Sequence, residues 1–555
     1  MSPSSLALIS AVLTVCVASC TILARRLRYK AFVEQTCLVD LPHVADDRTE
    51  YHKLDGTVVI CGGSIAGLLT ARVCHNHFKR IIIVEPEAWL ATDEARKVKA
   101  WTQEKDRSRI IQYRSLQGSQ CFTLMAYRTF FPNFDDEAEA SEIPITNYDF
   151  RTYIWGYFPT APYHQYPNGL PPVCFPSRRG LETLLRRLVL DKDKFPNIEY
   201  VVGSVSEFHA DPACPSRLQK VTVRTDDGNI DLNAELVVDC TGASHAGVRM
   251  LRHAGYGFAD NYPKGTLPFD KLGVSYDQKM HYVTMELTVP PELGNRLPIP
   301  GGYEGRPAIF ISVTQGSKDH KTIYWLRVDG NRVHVCCGGW GKPEVPRTLK
   351  GAQEWARSMV LDNPIPDWFF ESMDMLEEVE STMHVSFIRV PPSVYYRFHQ
   401  AVNLPSNWVA LGDSVMRLNP VFGQGITKAI FGIIALNRVL RTIPTVHPSD
   451  SKQSSHILPS NFSKQFFDGQ ERSIGSIWSG TKTVDYGYKT TVPIDGETLS
   501  QGSWLRWYIG KLQIISLKDR DVNSVLWHNR MFLAPGIDIM HPKLVLKVLW
   551  SCVVG

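Results

Sequence analysis

The sequence predicts an α/β protein with three parts: a parallel sheet that holds a nucleotide, an antiparallel sheet inserted into it, and a helical C-terminal region. Three observations support this class. A strand–turn–helix–strand pattern occupies residues 58–85, a second glycine-rich helix start lies within residues 408–440, and four β-rich runs lie between them. The 555 residues are 44% hydrophobic and 21% charged, which is ordinary for a globular chain with a sizeable core.

Net charge and cysteine usage argue against several kinds of partner. The formal net charge of +4 gives no reason to expect nucleic acid. The 12 cysteines include neither a C-x-x-C pair nor another metal-ligand spacing, so we expect no metal site. Cys336 and Cys337 stand in a strand-like run and are expected to be buried thiols in a reducing compartment.

The first nucleotide motif follows an apolar strand, Val58–Cys61. Glycine allows the sharp turn after the strand and lets the next helix, expected from Ile65 to Phe78, pack close to the sheet. The N–H groups at the start of that helix favour a pyrophosphate. A second strand at Ile81–Val84 ends in Glu85, whose carboxylate can accept both ribose hydroxyls, so FAD or NAD fits better than NADP. The motif residues are Gly62, Gly63, Ser64, Ile65, Ala66 and Gly67, with Ser64 where the common pattern has glycine; an ordinary strand–helix–strand unit is the alternative.

The first 30 residues are expected to form a membrane anchor. Leu6–Ala24 is uncharged and mostly apolar, and its length just suffices to span a bilayer. Arg25, Arg26, Arg28 and Lys30 follow on the C-terminal side, which puts the rest of the chain in the cytoplasm. A cleaved targeting peptide is the alternative, although a signal peptide carries its charge before the apolar core. The prediction is a single-pass membrane protein, at the endoplasmic reticulum if the source is eukaryotic.

The rest of the chain divides by composition. Ser177 is expected to cap a helix that continues to about Leu190, and Asp226-Asp227-Gly228 indicates a hairpin. An inserted antiparallel sheet that walls a pocket is predicted by β-rich runs at His281–Val289, Ala308–Val313, Thr322–Val328 and Arg332–Cys337. The Ser/Pro/His-rich residues 442–460 are expected to be a loop, and the apolar tail from Pro542, which is too short for a span, could lie on a membrane. The expected domains are 1–30 (anchor), 31–57 (polar linker), 58–264 (first part of the nucleotide domain), 265–400 (inserted sheet), 401–440 (second part) and 441–555 (helical region).

The second motif combines an acid with a glycine-rich helix start. A strand that ends at Gly412-Asp413 places a carboxylate where it can hold a ribityl or ribose hydroxyl. After Pro420, Gly423-Gln424-Gly425 opens a long helix that is apolar nearly all round and is therefore expected to be buried. The glycines present bare N–H groups that suit an anion or a developing negative charge. Each feature occurs by chance in many chains, but the combination is much less common.

In this order, the motifs resemble those of FAD-dependent monooxygenases related to aromatic hydroxylases and squalene epoxidase, in particular a polyprenyl-methoxyphenol-hydroxylase-like branch. The resemblance covers most of residues 55–440. It is carried by residues 62–67 with Glu85, by Ser177-Arg178, by Val237–Gly242, and by Gly412-Asp413-Ser414 with Asn419–Gly425. It implies a Rossmann-type FAD-binding domain whose inserted sheet contacts the substrate. The family's usual D-G before the insert appears here as Asp239-Cys240-Thr241-Gly242.

The resemblance also implies roles for single residues. In the family, the first motif holds the ADP part of FAD, the acid after the second strand holds the adenosine ribose, and the second helix start faces the isoalloxazine ring. The expected FAD-binding residues are Gly62, Gly63, Ser64, Ala66, Gly67, Glu85, Arg109, Arg178, Val205, Asp413, Pro420, Gly423, Gln424 and Gly425. No catalytic residue is predicted; the titratable candidates on the inserted sheet are His281, His320, His334, His384 and Tyr324.

The reaction implied by the resemblance is the hydroxylation or epoxidation of an electron-rich small molecule through a flavin C4a-hydroperoxide, with NAD(P)H and O₂ as co-substrates. The expected anchor and apolar sheet favour a lipophilic substrate such as a terpenoid, polyketide or quinone precursor. Two alternatives stay open: a flavin-dependent isoprenoid reductase, and a membrane-tethered FAD-binding protein without turnover. A flavin-dependent halogenase shares the fold, but Trp155–Pro159 does not satisfy its W-x-W-x-I-P motif.

Overall fold

The computed structural model describes residues 3–147, 150, 152–341, 344–444 and 457–554, except for the side chains of residues 3–13, 17 and 554. The strands are β1 Leu54–Cys61, β2 Phe78–Glu85, β3 Ile145–Thr146, β4 Tyr153–Ile154, β5 Val173–Cys174, β6 Ile198–Val202, β7 Ser204–Asp211, β8 Cys214–Thr225, β9 Gly228–Asn233, β10 Leu236–Asp239, β11 Gly273–Tyr276, β12 His281–Thr288, β13 Ala308–Val313, β14 Lys321–Arg327, β15 Arg332–Gly339, β16 His384–Arg389, β17 Ser393–Tyr396, β18 Trp408–Ala410 and β19 Met416–Arg417.

The helices are α1 Pro3–Thr36, α2 Ile65–His75, α3 Cys121–Phe130, α4 Phe134–Ala140, α5 Arg178–Val189, α6 Ala246–His253, α7 Pro291–Arg296, α8 Leu349–Arg357, α9 Asp367–Leu376, α10 Gly425–Arg441, α11 Phe462–Asp485, α12 Ser503–Ser516, α13 Arg520–Arg530 and α14 Pro542–Val554. The predicted mixed α/β class is confirmed. The domain boundaries and the cytoplasmic location remain predictions.

A five-stranded parallel sheet forms the centre of the molecule, in the order β18-β10-β1-β2-β6. Its inner strands are buried on both faces, and they therefore read as continuous apolar runs such as Ile81–Val84. Helix α10 is buried along nearly its whole length, as its all-round apolar sequence predicted. Helix α2 is shorter than expected, because the chain turns after His75 and Phe78 already begins β2.

The inserted sheet has six strands in the order β16-β12-β15-β14-β13-β4, antiparallel except for the short β4 edge. Helices α8 and α9 pack on one face of it around Trp325 and Phe369. The expected hairpin is confirmed between β8 and β9, where Thr225 pairs with Gly228 across the two aspartates. Cys336 and Cys337 are buried thiols, as predicted.

The N-terminal region differs from its prediction. In the part of the chain whose residues are described, no helix is both long and apolar enough to cross a membrane, so the predicted anchor at residues 1–30 is not supported. Residues 3–30 belong to α1, which continues through its basic residues to Thr36. Some side chains of the predicted span, those of residues 6–13 and 17, lie outside the described part, as do residues 445–456 of the expected loop.

Residues 31–57, expected to be a polar linker, carry ordered structure. They contain the end of α1, two short 3₁₀ turns and the start of β1. Cys37, Leu41 and Val44 are buried in the main core. Asp40 receives a hydrogen bond from Arg438 at 2.5 Å. The segment therefore packs on the main core through its apolar side chains and pairs with α10, although many of its polar side chains are exposed.

Candidate functional site

The two sequence motifs meet at the carboxyl ends of β1, β10 and β18, the edge where open α/β sheets bind ligands. Gly62 follows β1 with a φ of +121°, which a side chain rarely adopts. A Cβ on Gly67 would lie 1.9 Å from the carbonyl oxygen of Gly62, so the first turn of α2 packs directly on the strand end. From the other motif, a Cβ on Gly412 would lie 2.9 Å from the Cβ of Ala66. Small residues thus bring the motifs into contact.

The start of α2 has the character of an anion site. Ser64 is the N-cap, but its hydroxyl does not cap the helix. It donates to Glu182 Oε2 and accepts from Arg178 Nη2, both at 3.0 Å. The first N–H groups of α2 therefore have no partner within the helix and point to the space above the turn. Arg178 also keeps a buried Nε without a hydrogen-bond partner.

Glu85, the predicted ribose acid, lies in a buried cluster of charges. Its Oε2 accepts from the Gly63 N–H at 2.9 Å, and its Oε1 pairs with Arg107 at 3.1 Å. Arg107 also pairs with Glu87 and Glu182. Burial raises the pKa of Glu182, but Arg107 and its other arginine neighbours outweigh this and lower that pKa to about 2. Because Glu85 is only 2% exposed, a ribose could contact its carboxylate only if the Arg107 side chain moved aside.

Arg109 and Val205 lie apart from this cluster. Arg109 is exposed, and its backbone N–H is 3.4 Å from Glu87 Oε1, whereas Arg107 is buried. The role of Arg109 in binding FAD remains a prediction. Val205 lies on β7, two residues beyond Gly203, whose N–H donates to the carbonyl of Glu85. Both therefore flank the end of β2.

Asp413 lies opposite α2 and is paired with a lysine that the motif did not indicate. Lys428 Nζ is 2.6 Å from Asp413 Oδ1, with the lysine side chain 1% exposed and the aspartate side chain 50% exposed. Partial loss of hydration acts to raise the pKa of Asp413, but the Lys428 ammonium outweighs this effect, so the pKa is lowered. The pair presents a half-exposed carboxylate at the edge of the parallel sheet.

The start of α10 is packed on one side and open on the other. Pro420 begins a 3₁₀ turn, and Gly423 follows with a φ of +66°. A Cβ on Gly118 would lie 2.6 Å from Gly423 Cα, so the chain just before α3 covers this turn. At Gly425, in contrast, a Cβ would meet no atom within 4 Å. The N-terminus of α10 therefore faces open space.

Asp239, at the end of β10, connects the motifs through hydrogen bonds. Its Oδ1 accepts from the Thr241 N–H at 2.9 Å, from the Thr241 hydroxyl at 2.7 Å and from Ser414 Oγ at 3.1 Å. Ser414 Oγ in turn accepts from the Gly242 N–H at 2.9 Å. Asp239 Oδ2 is buried without a hydrogen-bond partner, and burial raises the pKa of this carboxyl.

Asp485, at the end of α11, was not predicted and holds the loop before α10 in place. Its Oδ1 accepts from Trp340 Nε1 at 2.7 Å and from Asn419 Nδ2 at 2.8 Å, and its Oδ2 accepts from the Tyr276 hydroxyl at 2.8 Å. These donors come from the inserted sheet, from the α10 loop and from β11. Burial raises the pKa of Asp485 to about 6.

Helix α11 contacts the site at two further points. The Thr481 hydroxyl donates to Gln424 Oε1 at 3.3 Å, and Gln470 Nε2 donates to the carbonyl of Ala410, at the end of β18, at 3.1 Å. The helical region thus supports the second motif. No local pattern in α11 indicates this, because Asp485 and Asn419 are 66 residues apart.

An apolar wall stands between the inserted sheet and the α10 loop. It is formed by a cluster that includes Tyr282, Cys336, Ile388 and Trp340, against which Val421 and Phe422 pack. Trp340 stacks on Tyr488 with ring centroids 3.8 Å apart. The wall contains aromatic and aliphatic groups, as a surface that contacts an apolar molecule would.

Of the titratable candidates on the inserted sheet, only Tyr324 bonds to a motif residue among the described contacts. Its hydroxyl donates to the Val421 carbonyl at 3.1 Å, and burial raises its pKa. His334 is buried against Glu286 at 3.0 Å, and His281 bonds to the backbone of Gly341. His320 and His384 are exposed. None of the four histidines is assigned a catalytic role.

Comparison with known proteins places the chain by its fold. No protein-family model and no curated protein sequence matches it. Among solved structures, it is similar to the flavin-dependent brominase Bmp2, with 11% identity, a TM-score of 0.54, and 90% of this chain and 98% of that chain covered. A flavoprotein/dehydrogenase from Cytophaga hutchinsonii gives 13% identity and a TM-score of 0.50 over 90% of this chain and 99% of the other. The p-nitrophenol 4-monooxygenase PnpA from Pseudomonas putida DLL-E4 gives 14% identity and a TM-score of 0.50 over 87% of this chain and 99% of the other.

At these identities the likeness shows a shared fold. The match extends over nearly the whole length of each of these three structures. The chain therefore shares its fold with a flavin-dependent brominase, a flavoprotein/dehydrogenase and a p-nitrophenol monooxygenase. Its two glycine-rich motifs meet at the carboxyl edge of the parallel sheet.

Proposed function

We propose that the protein binds FAD and acts as an FAD-dependent monooxygenase. The observation that carries the proposal is the meeting of two helix N-termini, α2 and α10, at the carboxyl ends of the parallel strands, with open space beside Gly425. A dinucleotide that joins a pyrophosphate to a ring with a developing negative charge suits two such positive ends. The fold likeness supports the same choice.

The residues present fit such a cofactor along most of its length. The free N–H groups of α2 and the unpartnered Nε of Arg178 suit the pyrophosphate. Asp413 offers a half-exposed carboxylate for a ribityl hydroxyl, and the Gly425 end of α10 has room for a ring. Glu85 fits the adenosine ribose less directly, because it already accepts from Arg107 and the Gly63 N–H.

Bound FAD would supply redox chemistry with NAD(P)H and O₂, and the chain would supply position and environment. The N-terminus of α10 stabilises negative charge at its open end. Lys428 adds a buried positive charge one turn further along and keeps Asp413 ionised. Asp485 fixes the loop from Asn419 to Pro420 and so aims that helix end. The apolar wall beside Val421 and Phe422 excludes water.

The proposed reaction is hydroxylation or epoxidation of a lipophilic small molecule. The aromatic and aliphatic character of the wall supports this substrate class, because a polar substrate would need buried hydrogen-bond partners there. An isoprenoid reductase and a flavin-binding protein without turnover are the alternatives. Neither alternative consumes O₂, whereas a monooxygenase does. Oxygen dependence is therefore the measurement that separates the proposal from both alternatives.

The cofactor test uses a matched pair of glycines. Gly425 and Gly480 are both exposed helical glycines whose Cβ would meet no atom within 4 Å. Gly425→Leu should weaken FAD binding at least tenfold in a fluorescence titration, because the side chain fills the space at the α10 end. Gly480→Leu should bind FAD like the unchanged protein. Equal affinity in both variants, or no flavin absorption after addition of FAD, would refute the proposal.

The reaction test follows NAD(P)H oxidation by the FAD-loaded protein with and without O₂, in the presence of lipophilic and polar phenols or alkenes. Oxygen-dependent oxidation that a lipophilic compound stimulates is the expected result. Oxidation that needs no O₂ would favour the reductase. Bound flavin without any turnover would favour the non-catalytic alternative, and stimulation by polar phenols alone would refute the substrate class.

A further inference from the structure

Helix α14 is apolar on two sides, and only one of them is covered. Leu544 and Val548 are buried against Tyr508 and Leu512 of α12. The opposite side carries Leu546, Leu549, Trp550 and Val553 at helical spacing, and these side chains are 55% to 80% exposed. Isolated exposed apolar residues are ordinary, but a continuous stripe of this size on one helix indicates a binding surface.

The neighbouring helices extend the stripe. Helix α12 packs beside α14 and exposes Trp504, Trp507 and Ile514 on its outer side. Helix α1 exposes Ile22, Leu23 and Leu27. It is joined to the segment before α14 by the bidentate pair of Arg28 with Asp538, at 2.7 and 2.8 Å, and by a bond from the Gly536 N–H to Gln35 at 3.0 Å. We call these outer sides of α1, α12 and α14 the docking face.

The helices of the docking face carry an excess of basic residues, of which Arg28 is paired with Asp538 and Lys547 with Asp519. Helices α12 and α14 contain no acidic residue but carry Arg506, Lys511, Lys543 and Lys547. The acid-free stretch of α1 before Glu34 carries Arg25, Arg26, Arg28 and Lys30. A surface that combines apolar stripes, three exposed tryptophans and an excess of basic charge complements the anionic headgroups and the acyl boundary of a lipid bilayer. A protein partner would not require this combination of features.

A cleft opens beside the docking face. It is lined by Ile514 and Leu517 of α12, by Trp527 of α13 and by Trp155. Trp527 also belongs to the apolar cluster against which Tyr324 packs, and Tyr324 donates to the Val421 carbonyl at the start of α10. Ile514 is therefore both an exposed member of the docking face and a wall of a cleft whose Trp527 packs in the same cluster as Tyr324.

We propose that the docking face binds the surface of an anionic lipid bilayer, with α12 and α14 in the plane of the interface. A lipophilic substrate would then pass from the bilayer into the cleft beside Ile514. This second step rests on the proposed function, whereas bilayer binding does not, because no residue of the docking face belongs to the candidate flavin site.

The experiment measures co-sedimentation of the full chain with vesicles. Vesicles of phosphatidylcholine are compared with vesicles that also contain phosphatidylserine. The unchanged protein should bind the phosphatidylserine vesicles more tightly, and added salt should weaken that preference. The triple variant Leu546→Glu, Leu549→Glu, Trp550→Glu should bind at least tenfold more weakly and should keep its thermal unfolding midpoint, because all three side chains are exposed.

The matched control replaces three exposed apolar residues that lie outside the docking face. Ile230, Phe258 and Val360 are exposed apolar residues outside α1, α12 and α14, and their joint replacement by Glu should leave vesicle binding unchanged. Absence of vesicle binding by the unchanged protein, equal binding by the triple variant, or equal loss in the control would overturn the proposal. So would a dimer, seen by gel filtration, that the triple variant converts to monomer without any vesicle binding. Flavin content measured on the same samples separates this outcome from failure of the proposed function.

Discussion

Asp485→Asn should remove part of the pH dependence of stability. The carboxyl is fully buried at the end of α11, and burial raises its pKa to about 6 from an ordinary 3.8. An acid with a raised pKa in the folded state holds its proton more tightly there than in the unfolded chain. Its stabilising contribution is therefore complete below about pH 4 and is lost as the pH rises through about 6. The difference between the two pKa values corresponds to about 3 kcal/mol of unfolding free energy.

Asparagine preserves the geometry without the ionisation. Its Oδ1 can keep the bonds from Trp340 and Asn419, and its amide can donate to the Tyr276 oxygen. Between pH 4 and pH 8, the unchanged protein should lose about 2–3 kcal/mol more of its urea unfolding free energy than the variant does. Fluorescence-monitored urea unfolding at several pH values measures the difference.

The control for this prediction is Asp468→Asn on the same helix. The Asp468 side chain is 42% exposed and pairs with Lys464 on the surface, so this change should leave the pH profile nearly as it is. If Asp485→Asn shows the same pH dependence as the unchanged protein, the carboxyl does not titrate as its burial indicates. A third variant, Asp485→Ala, leaves the donors of Trp340 and Asn419 unpaired. It should also weaken FAD binding, because Asn419 loses the contact that fixes the α10 loop.

Three further changes test the site. Gly67→Ala should lower the free energy of urea unfolding by about 2–3 kcal/mol and weaken FAD binding, because its Cβ would lie 1.9 Å from a backbone oxygen. The control Gly480→Ala, on an open helix surface, should raise that free energy by about 0.5–1 kcal/mol. Arg107→Met should lower the free energy of unfolding by about 3–5 kcal/mol, because it leaves buried carboxylates without their cation. Arg114→Met, at a partly exposed ion pair, should lower it by less than about 1 kcal/mol. Similar losses in the two variants would show that the Arg107 cluster is solvated. Asp413→Ala should raise the Kd for FAD roughly tenfold, about 1.4 kcal/mol, in a fluorescence titration, and an unchanged Kd would remove Asp413 from the site.

Local chemistry made part of this architecture predictable. Ser177 caps α5 as expected, with its hydroxyl accepting from the Gly180 N–H at 2.8 Å, because capping depends on residues three positions apart. The strand ends at Gly62 and Gly412 were likewise readable from short apolar runs that stop in glycine. Contacts between distant segments were not readable in this way. Asp485 reaches Asn419 across 66 residues, and nothing near either residue in the sequence indicates the pairing.

Two features of the structure were not predictable for a specific physical reason. Arg107 is buried against Glu85 while Arg109 is exposed, and a loop without periodicity does not encode which side chain turns inward. The residues expected to be a linker are polar in composition, but a few of them fix the segment to α10: Arg48 donates to the Leu440 carbonyl at 2.9 Å and Asp40 accepts from Arg438 at 2.5 Å. Composition alone does not distinguish a solvated spacer from a polar segment that is held at a few positions.

The position of the N-terminal segment has a consequence for how the chain folds. Its partners lie in the last quarter of the sequence: Arg438 for Asp40, Ser473 for Cys37, and Asp538 for Arg28. Contacts with such a large sequence separation form slowly, because a long loop must close before they contribute. During synthesis, each of these three contacts can form only after its later partner, the last of them Asp538, has left the ribosome. We expect these contacts to be among the later steps of folding.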